Sequence, residues 1–303
     1  MIIIGTRGSA LALAQTGLMR DRILSHFPGT EITLKIIKTS ADKDLTSSIR
    51  TGSSIGVFVK ELEQALLRGD IDIAVHSMKD VPTKIPAGLQ IAAIPEREDA
   101  RDALIANRAM SLAELPAGSL IGTGSVRRQA QILALRPDLR VKDIRGNIET
   151  RLNRLRDGNY AAIILACAGL NRLGLQDRIS AVLDWEQVLP APGQGALAVE
   201  TRSDDPRVQP IAAALNHRDT AIAVSAERSF LQCMGGGCNV PVAVYARLNE
   251  NSIEIDGLVA SPDGQRVVRE SIRQGAETAT EAAISLANRI LSRGGRAILS
   301  EIL

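Results

Sequence analysis

Hydrophobic and polar positions follow two alternating spacings through the first two thirds of the chain. Short unbroken apolar runs at 2–4 and 71–75 predict buried strands. Apolar residues that recur every three or four positions predict a helix at 10–26, for which Ser9 is a candidate N-cap. Strands that alternate with helices are typical of doubly wound parallel sheets, so the pattern predicts an α/β fold.

The strand and helix series begins again near residue 120, which predicts two lobes. We expect the first lobe to comprise 1–95 with 196–215 and the second to comprise 96–195, with the Pro/Gly-rich segment 189–195 carrying the chain between them. The remaining elements predicted in this part are strands at 31–38, 89–94, 103–106, 120–122, 140–143 and 161–165, and helices at 57–68, 125–135, 147–157, 205–215 and 218–233.

From residue 240 onward the pattern changes to three alternating runs, at 240–248, 252–260 and 265–272, separated by polar turns. Such runs predict a three-stranded antiparallel meander. A helical pattern at 277–293 follows and ends at two glycines. We therefore expect a small α+β C-terminal domain, residues 216–303, that is built differently from the two lobes.

Composition restricts the class of partner. The 303 residues include 45% hydrophobic and 23% charged side chains, as in globular proteins, and the net charge is only +2. So small a charge argues against a nucleic-acid surface, and one Trp, two Tyr and three Phe leave little to stack on bases. No apolar run is long enough to span a membrane, and the apolar start at residues 1–5 has no basic region before it, so no signal peptide is expected. Three cysteines, an odd number, indicate reduced thiols, so we expect a cytoplasmic protein.

The basic residues are mostly arginine, since only seven of the 36 are lysine. A guanidinium is planar, always charged and able to bind a carboxylate through two parallel hydrogen bonds, whereas an ammonium acts as a point charge. Arginines at the starts or tips of predicted turns therefore predict a ligand with several carboxylates, and the alternative is ordinary surface charge. These arginines are Arg7, Arg127, Arg128, Arg145, Arg151 and Arg172.

Two glycine-containing turns, at 5–9 and 122–128, lie where a predicted strand passes into a helix. Backbone N–H groups and the positive end of a helix make such turns suitable for binding anions. Neither turn matches a nucleotide-binding glycine motif, and a tight turn without a ligand is the alternative. Arg127 and Arg128 should point about 100° apart on their helix, so that one could face a cleft while the other supports it.

A polar segment, 76–82, comes directly after the apolar run at 71–75. Open α/β sheets place ligands at the carboxyl ends of their strands, so Asp80 is a candidate acid or base whose pKa Lys79 and nearby arginines can tune. The alternative is an aspartate that caps a turn before a proline. His76 has no partner at metal-ligand spacing and is interpreted as a structural, hydrogen-bonding residue.

Three consecutive glycines precede Cys238 and allow the backbone to bring its thiol close to another surface. Only Cys233 lies near it in the sequence, which does not support a zinc site, and no histidine base is adjacent to activate a nucleophile. A cysteine is more often a small buried hydrophobic residue, and Cys167 and Cys233 fit that interpretation.

Taken in order, these segments resemble porphobilinogen deaminase (hydroxymethylbilane synthase), and the resemblance spans nearly the whole chain. Each fragment is short, but their common order is specific. The residues that carry it are Gly5-Thr6-Arg7 with Gln15, residues 58–63, 74–82 and 96–99, Arg127-Arg128-Gln129, Arg145-Gly146-Asn147 with 150–152, residues 168–170 with Arg172, Gly193-Gln194-Gly195, and Gly236-Gly237-Cys238.

The resemblance implies two similar lobes that resemble type II periplasmic binding proteins and face a cleft, and a third domain that carries the cysteine. It implies that Cys238 holds a dipyrromethane cofactor, built from the enzyme's own substrate, through a thioether, and that Asp80 is the catalytic carboxylate. The six arginines named above would bind acetate and propionate groups of cofactor, substrate and growing chain. Further binding residues implied in the same way are Ser9, Gln15, Phe58, Ser77, Lys79, Thr123, Ser125, Gly146 and Gln194.

The implied activity joins four porphobilinogen molecules head to tail, releases ammonia and gives hydroxymethylbilane in tetrapyrrole biosynthesis. Carboxylates accumulate as the chain grows, and guanidiniums would offset their repulsion and desolvation. Asp80 would stabilise the cationic azafulvene that loss of ammonia leaves, and would then assist proton removal. Because one carboxylate serves every cycle, the growing chain or the lobes must shift after each addition, and segment 189–195 is a candidate hinge for that movement. The product is expected to pass to uroporphyrinogen-III synthase, and the protein to be a monomer without a metal.

The sequence departs from the family at two places, next to or within a stretch, 40–57, that is expected to be a mobile loop. Ile55 stands where a lysine is common, and Thr39-Ser40-Ala41-Asp42 replaces the usual Thr-Arg-Gly-Asp. Two other functions stay open: a two-lobed binding protein for a small polycarboxylate, without catalysis, and the effector domain of a transcription regulator. The first would need export but not the glycines before Cys238, and the second would need a DNA-binding appendage.

Overall fold

The computed structural model describes residues 1–37, 59–108, 110–235 and 240–302. They form two compact units, one comprising Met1–Glu98 with Ala196–Ala221 and the other Asp99–Gly195 with Ile222–Leu303. The division into three domains stays a prediction, because the second lobe and the C-terminal sheet fall in one unit. Within the described ranges, no helix is both long enough and apolar enough to cross a bilayer.

The described elements alternate as the sequence pattern predicts. The strands are β1 (Ile2–Thr6), β2 (Ile32–Ile36), β3 (Ile73–Ser77), β4 (Leu89–Ala93), β5 (Asp102–Ala106), β6 (Leu120–Gly122), β7 (Arg140–Lys142), β8 (Ala162–Ala166), β9 (Ala181–Leu183), β10 (Leu197–Arg202), β11 (Val242–Asn249), β12 (Ser252–Ala260) and β13 (Val267–Gly275). The helices are α1 (Ala10–His26), α2 (Lys60–Leu67), α3 (Val126–Leu135), α4 (Ile148–Arg156), α5 (Cys167–Arg172), α6 (Gln209–Leu215), α7 (Arg218–Cys233), α8 (Ala279–Ile290) and α9 (Arg296–Ser300). Short 3₁₀ turns occur at Met78–Asp80, Gln176–Arg178 and Ala276–Thr278, and a π-type turn, Leu291–Gly295, joins α8 to α9.

The sheet of the first unit has the strand order β2-β1-β3-β10-β4. Strand β1 pairs in parallel with β2 and β3, whereas β10 runs antiparallel to β3 and β4. The predicted doubly wound sheet is therefore present, but its strands are parallel only on one side, because both pairings of β10 are antiparallel. The reason is the path of the chain, because β10 belongs to the segment by which the chain returns to this unit and enters the sheet in the opposite direction.

Helices cover both faces of this sheet. Met19 of α1 lies in the apolar core on one face together with side chains of α6, and Leu62 of α2 lies in the core on the other face. The predicted N-cap of α1 is confirmed, because the Ser9 hydroxyl accepts a hydrogen bond from the Ala12 amide over 3.3 Å. Helix α2 stops before Gly69, whose φ of +75° lies in the left-handed region that glycine adopts without strain.

The second unit contains a five-stranded sheet with the order β7-β6-β8-β5-β9. It repeats the strand plan of the first unit, with β5 as the antiparallel strand beside β8 and β9. The predicted parallel pairing again holds for only part of the sheet, because β5 lies on the segment by which the chain arrives from the first unit and runs antiparallel to its neighbours. The sequence pattern also misses β9, β10, α5 and α9; β9 and α9 are short, and buried Glu200 and Thr201 interrupt the apolar pattern of β10.

The C-terminal part of the second unit is a three-stranded antiparallel sheet in the order β11-β12-β13, which confirms the predicted meander. Leu286 and Ile290 of α8 pack with Phe230 of α7 in the core beneath it. Gly264 lies in the turn between β12 and β13, where a Cβ atom would come within 2.5 Å of the Ala130 carbonyl oxygen in α3. The predicted fold class, two α/β lobes with a small C-terminal domain around a three-stranded antiparallel sheet, is confirmed.

Candidate active site

Asp80 lies at the carboxyl end of β3, in the first unit. The strand ends at half-buried Ser77, and the 3₁₀ turn Met78–Asp80 follows. Met78 is buried and anchors this turn, whereas Asp80 is exposed. The Val81 amide donates to the Met78 carbonyl over 3.1 Å and closes the turn. The local fold thus presents the Asp80 carboxylate at the surface of a fixed turn.

Arg7 directly follows β1 and Ser77 ends β3, and these two strands are neighbours in the same sheet. Strands β1 and β3 are parallel, so the residues after their last positions lie at one edge of the sheet. The buried Gln15 side chain donates from Nε2 to the Ser77 hydroxyl over 2.9 Å, which connects α1 to the end of β3. The structure thus brings Arg7, Ser9, Gln15, Ser77, Lys79 and Asp80 to one edge of the first unit.

A hydrogen-bonded pair of titratable residues lies behind this edge. His76 and Glu200 are both buried, and Nε2 of His76 lies 2.9 Å from a carboxylate oxygen of Glu200. The pKa of Glu63 in α2 is raised, mainly by burial and to a lesser extent by the charge of Glu200, whereas the neighbouring His76 lowers it. The hydrogen-bonding role expected for His76 is confirmed. The sequence pattern alone did not indicate Glu63 or Glu200 as its neighbours.

In the second unit, the turn between β6 and α3 has the capped geometry typical of a strand-to-helix passage. Ser125 is the N-cap of α3 and accepts from the Arg128 amide over 3.4 Å, while the buried Thr123 hydroxyl accepts from the Ser125 amide over 3.2 Å. Glycine is favoured at position 124, because a Cβ atom there would lie 2.7 Å from a carboxylate oxygen of Asp143 and 3.2 Å from the Ile144 carbonyl oxygen. Close packing therefore explains this glycine without a ligand.

Arg127 and Arg128 both reach the same buried carboxylate. Only 5% and 6% of these arginines are exposed, and Asp102 is fully buried. Arg127 Nη1 lies 2.8 Å from Asp102 Oδ2, and Arg128 donates from Nε and Nη2 to Oδ1 over 3.0 and 2.6 Å. Burial alone would raise the pKa of Asp102, but the two guanidinium charges outweigh it and hold that pKa well below its usual range. Both arginines are therefore enclosed in this unit, and their ligand role stays a prediction.

Arg151 is held near further cations. Its Nε donates to the carbonyl of Gly146 over 2.8 Å, in a turn where Gly146 has a φ of +108°. The pKa of Arg151 is lowered to about 10, mainly by burial and to a lesser extent by the charge of Arg128. Arg145 is exposed and lies 2.7 Å from Asp143. A desolvated cation with cationic neighbours favours an anion.

The segment Gly193–Gly195 is fixed by side chains of the second unit. Buried Gln194 donates from Nε2 to the Ala100 carbonyl over 2.6 Å and to Asp102 Oδ1 over 2.9 Å. Arg172 Nη2 donates to the Gly195 carbonyl over 2.5 Å. Glycine suits positions 193 and 195, where φ is +71° and +88°. The hinge role of this segment stays a prediction.

Several predicted site residues lie outside the described residues. These are Phe58 and Cys238, together with the departures from the family pattern, Ile55 and Thr39-Ser40-Ala41-Asp42. Cys167 is buried, as expected, and burial raises the pKa of its thiol to about 12. Cys233 is half-buried and packs against the core of the C-terminal part.

The described site residues fall into two sets, one in each unit. The set in the second unit comprises Thr123, Ser125, Arg127, Arg128, Arg145, Gly146, Arg151, Arg172 and Gln194. Sequence patterns did not indicate the carboxylates on which these sets depend, Asp102 and Glu200. A single acidic residue at the start or middle of an otherwise apolar run is the signal that points to such buried carboxylates.

Two family models match nearly the whole chain. Residues 2–210 match "porphobilinogen deaminase, dipyromethane cofactor binding domain", and residues 221–292 match "porphobilinogen deaminase, C-terminal domain". The chain is similar to the porphobilinogen deaminase of Thermus thermophilus, with 46% identity over 303 residues that cover 100% of this chain and 99% of that protein. It is 48% identical to the porphobilinogen deaminase of Pelobacter propionicus over 299 residues, which cover 99% of this chain and 96% of that protein.

A solved structure of a nutrient-binding protein from Burkholderia cenocepacia, bound to methionine, is a distant neighbour. Its TM-score is 0.44 at 12% identity, and the match covers 71% of this chain and 91% of that chain. So distant a likeness carries no argument about this chain.

Proposed function

The chain belongs to the porphobilinogen deaminase family, and on that premise we propose that it joins four porphobilinogen molecules head to tail, releasing ammonia, to form hydroxymethylbilane. It is then a transferase of tetrapyrrole biosynthesis that forms C–C bonds. One structural observation carries the proposal: the half-buried Arg151 side chain is held by its Nε hydrogen bond to the Gly146 carbonyl over 2.8 Å, where burial and the charges of neighbouring arginines lower its pKa to about 10. Such a position is suited to a ligand that brings carboxylates.

Porphobilinogen carries an acetate and a propionate on its pyrrole ring. Arg145 and Arg151 lie close together on the loop and first turn of α4, and the charge of Arg145 contributes to the lowered pKa of Arg151. Incoming carboxylates would relieve this repulsion and replace the water that the guanidinium has lost. Charge pairing is therefore the main source of affinity that we assign to these arginines.

Asp80 is the residue that we assign to proton transfer. Loss of ammonia from the substrate leaves a cationic pyrrole, and the exposed Asp80 carboxylate at the end of β3 can offset that charge beside the pyrrole N–H. After the C–C bond forms, the same carboxylate accepts the proton that the substituted ring carbon loses. Lys79, half-buried in the same 3₁₀ turn, is assigned to a carboxylate of the substrate.

The residues present fit an acidic cofactor. Arg127 is almost fully buried, and within the described ranges its Nε–H has no hydrogen-bond acceptor, so an additional acceptor would satisfy it. We assign Arg127, Arg128 and Ser77 to the dipyrromethane and Cys238, outside the described residues, to its thioether attachment. When bound, the dipyrromethane supplies the nucleophilic pyrrole carbon to which the first substrate is joined.

Further assignments rest on the same premise. Residues 216–303 are proposed as the cofactor-attachment domain, 1–95 with 196–215 as the first lobe and 96–195 as the second. We expect the protein to be a cytoplasmic monomer that passes its product to uroporphyrinogen-III synthase. The remaining assignments of side chains to substrate or cofactor are Arg7, Ser9, Gln15, Phe58, Thr123, Ser125, Gly146, Arg172 and Gln194.

Intact-mass measurement of the purified protein tests the proposal. We expect the wild-type protein to carry a covalent adduct of two pyrrole units, and Cys238→Ser to lack it. Cys233→Ser is the matched control, because Cys233 lies five positions away in the sequence and should leave the adduct in place. Incubation with porphobilinogen should then give a ladder of further pyrrole additions.

The alternative function, binding without catalysis, predicts the opposite result for the intact mass. A protein that only binds a small polycarboxylate would show the unmodified mass with or without porphobilinogen. An unmodified wild-type mass after that incubation would therefore overturn the enzyme assignment.

A further inference from the structure

Asp102 is the first residue of β5 and is fully buried between charged partners. Its two carboxylate oxygens lie 2.8 Å from Arg127 Nη1 and 2.6 Å from Arg128 Nη2. One carboxylate thus faces two guanidiniums in an interior where unpaired charge is strongly unfavourable. The three side chains together keep one positive charge that they do not neutralise.

The remaining contacts of the two arginines hold them in fixed directions. Arg128 Nη1 donates to the Ile164 carbonyl over 3.0 Å, and Arg127 Nη1 donates to the Leu189 carbonyl over 2.5 Å. The side chain of Gln131, one turn further along α3, also holds Leu189, because it donates to the Leu189 carbonyl over 3.0 Å and accepts from its amide over 2.7 Å. The position of each guanidinium is therefore set by groups distant in the sequence.

Gln194 connects this charge cluster to the segment Gly193–Gly195. It donates to Asp102 Oδ1 over 2.9 Å and to the Ala100 carbonyl over 2.6 Å. Ala100 lies just inside the second unit where the chain first enters it, and Gln194 lies just before the chain leaves it. Both crossing segments are thus held at the same buried carboxylate.

From these contacts we propose that Asp102 is a positioning residue for ligand carboxylates, and that it acts through Arg127 and Arg128. It cancels one of the two positive charges, so that both guanidiniums can stay buried, and leaves the other charge for an anionic ligand. The Arg127 Nε–H, which has no acceptor within the described part of the chain, is the group that we assign to that ligand. The inference rests on the proposed function, because the ligand is the acidic pyrrole chain.

Asp102→Asn tests this role, because it keeps the shape of the side chain and removes its charge. For the purified holoenzyme, we expect KM for porphobilinogen to rise by at least about tenfold with a smaller change in kcat, because the arginines bind ground state and transition state alike. Intact mass should show a reduced fraction of protein with the covalent adduct. Asp138→Asn is the matched control, since Asp138 pairs with Arg136 at the surface of the same unit and should change neither quantity.

A double-mutant cycle with Arg127→Gln distinguishes positioning from mere structural support. If Asp102 acts through Arg127, the double variant should have about the KM of Arg127→Gln alone, and its thermal midpoint should recover from that of Asp102→Asn because the cluster returns to its wild-type net charge. Additive effects on KM would overturn the proposal. So would a double variant that recovers KM and adduct occupancy together with its thermal midpoint, because Asp102 would then serve only stability.

Gln194→Met tests the same proposal if the Asp102→Asn protein does not fold. The substitution removes the amide that donates to Asp102 without changing any charge, and we expect KM to rise by about threefold or more with the protein still folded. A folded Gln194→Met enzyme with wild-type KM and adduct occupancy would contradict the proposal. Wild-type protein without any adduct would instead contradict the proposed function, so the two failures are distinguishable.

Discussion

The buried amide of Gln15 donates a hydrogen bond to the hydroxyl of Ser77 over 2.9 Å. Gln15 belongs to α1 and Ser77 ends β3, so this bond connects the helix that follows Arg7 with the strand that precedes Asp80. Two segments separated by 62 positions in the sequence are thereby held at one edge of the sheet.

Gln15→Leu should disturb the turn that presents Asp80. The substitution keeps the side chain large but removes the donor, so that the Ser77 hydroxyl loses this partner in a partly buried position. We expect a loss of about 1–2 kcal/mol in the free energy of unfolding, measured with urea, and a fall of several-fold in kcat. Gln64→Leu, on the exposed face of α2, is the control and should leave kcat unchanged. An unchanged kcat in Gln15→Leu would remove this bond from any role in catalysis.

Asp80→Asn should separate cofactor attachment from turnover. The amide cannot accept the proton that the growing chain loses, so kcat should fall by about 100-fold or more. Intact mass should still show the adduct, even if the protein acquires it slowly. Asp21→Asn changes an exposed aspartate of the same unit and should behave as wild type. Near-normal turnover in Asp80→Asn would exclude the proposed role.

Arg151→Leu should weaken substrate binding more than Arg154→Leu. Both residues lie on α4, but Arg151 is largely desolvated, with a pKa lowered to about 10, whereas Arg154 is exposed. We expect KM to rise by about tenfold for Arg151→Leu and by much less for Arg154→Leu. Steady-state kinetics at fixed ionic strength make the comparison. Equal effects of the two substitutions would mean that the desolvated position is not special.

Glu63→Gln should change how stability depends on pH. Burial, then the nearby charge of Glu200, raises the pKa of Glu63 in the folded protein, and His76 opposes this. The folded state then binds more protons than the unfolded chain between the ordinary and the raised pKa, so stability should fall as pH rises through that window. Glu63→Gln should remove this fall.

Urea denaturation at a series of pH values measures the effect. Glu281→Gln, an exposed glutamate on α8, is the control and should keep the wild-type slope. A Glu63→Gln profile parallel to the wild-type profile would contradict the prediction.

Gly264→Ala should destabilise the packing of the C-terminal turn on α3. Its φ is +74°, and the new Cβ would lie 2.5 Å from backbone atoms of Ala130 and Ala134. We expect a loss of about 3 kcal/mol, of which about 1 kcal/mol comes from the left-handed backbone alone. Gly118→Ala supplies that reference, because Gly118 has a φ of +76° and a Cβ atom added there would meet no heavy atom within 4 Å. Thermal or urea denaturation measures both losses. Equal losses of stability in Gly264→Ala and Gly118→Ala would show that the close approach of the new Cβ atom to α3 has no energetic cost.

Local spacing and turn residues were sufficient for several elements. Helix α1 with its Ser9 cap, and the meander of β11, β12 and β13, lie within a few residues of their predicted positions. The reason is that the contacts that decide them involve residues within a few positions along the chain, or one polar turn away. The order of short motifs likewise sufficed to indicate the family.

The buried charges could not be predicted in this way. Asp102 is acceptable in the interior only because Arg127, Arg128 and Gln194 reach it, and Gln194 is 92 positions away. Glu200 is acceptable only beside His76, 124 positions away. Nothing in the residues next to either carboxylate shows which partner will compensate its loss of water.

By itself, the amino-acid sequence determined the alternation of strands and helices, the separate C-terminal meander and the abundance of arginine suited to an acidic ligand. Tertiary structure alone decided that β5 and β10 run against their neighbours and that Arg127 and Arg128 share one carboxylate. The physical reason is distance along the chain. Periodicity records which side of an element avoids water, whereas the direction of a crossing strand and the partner of a buried charge depend on segments that meet only after folding.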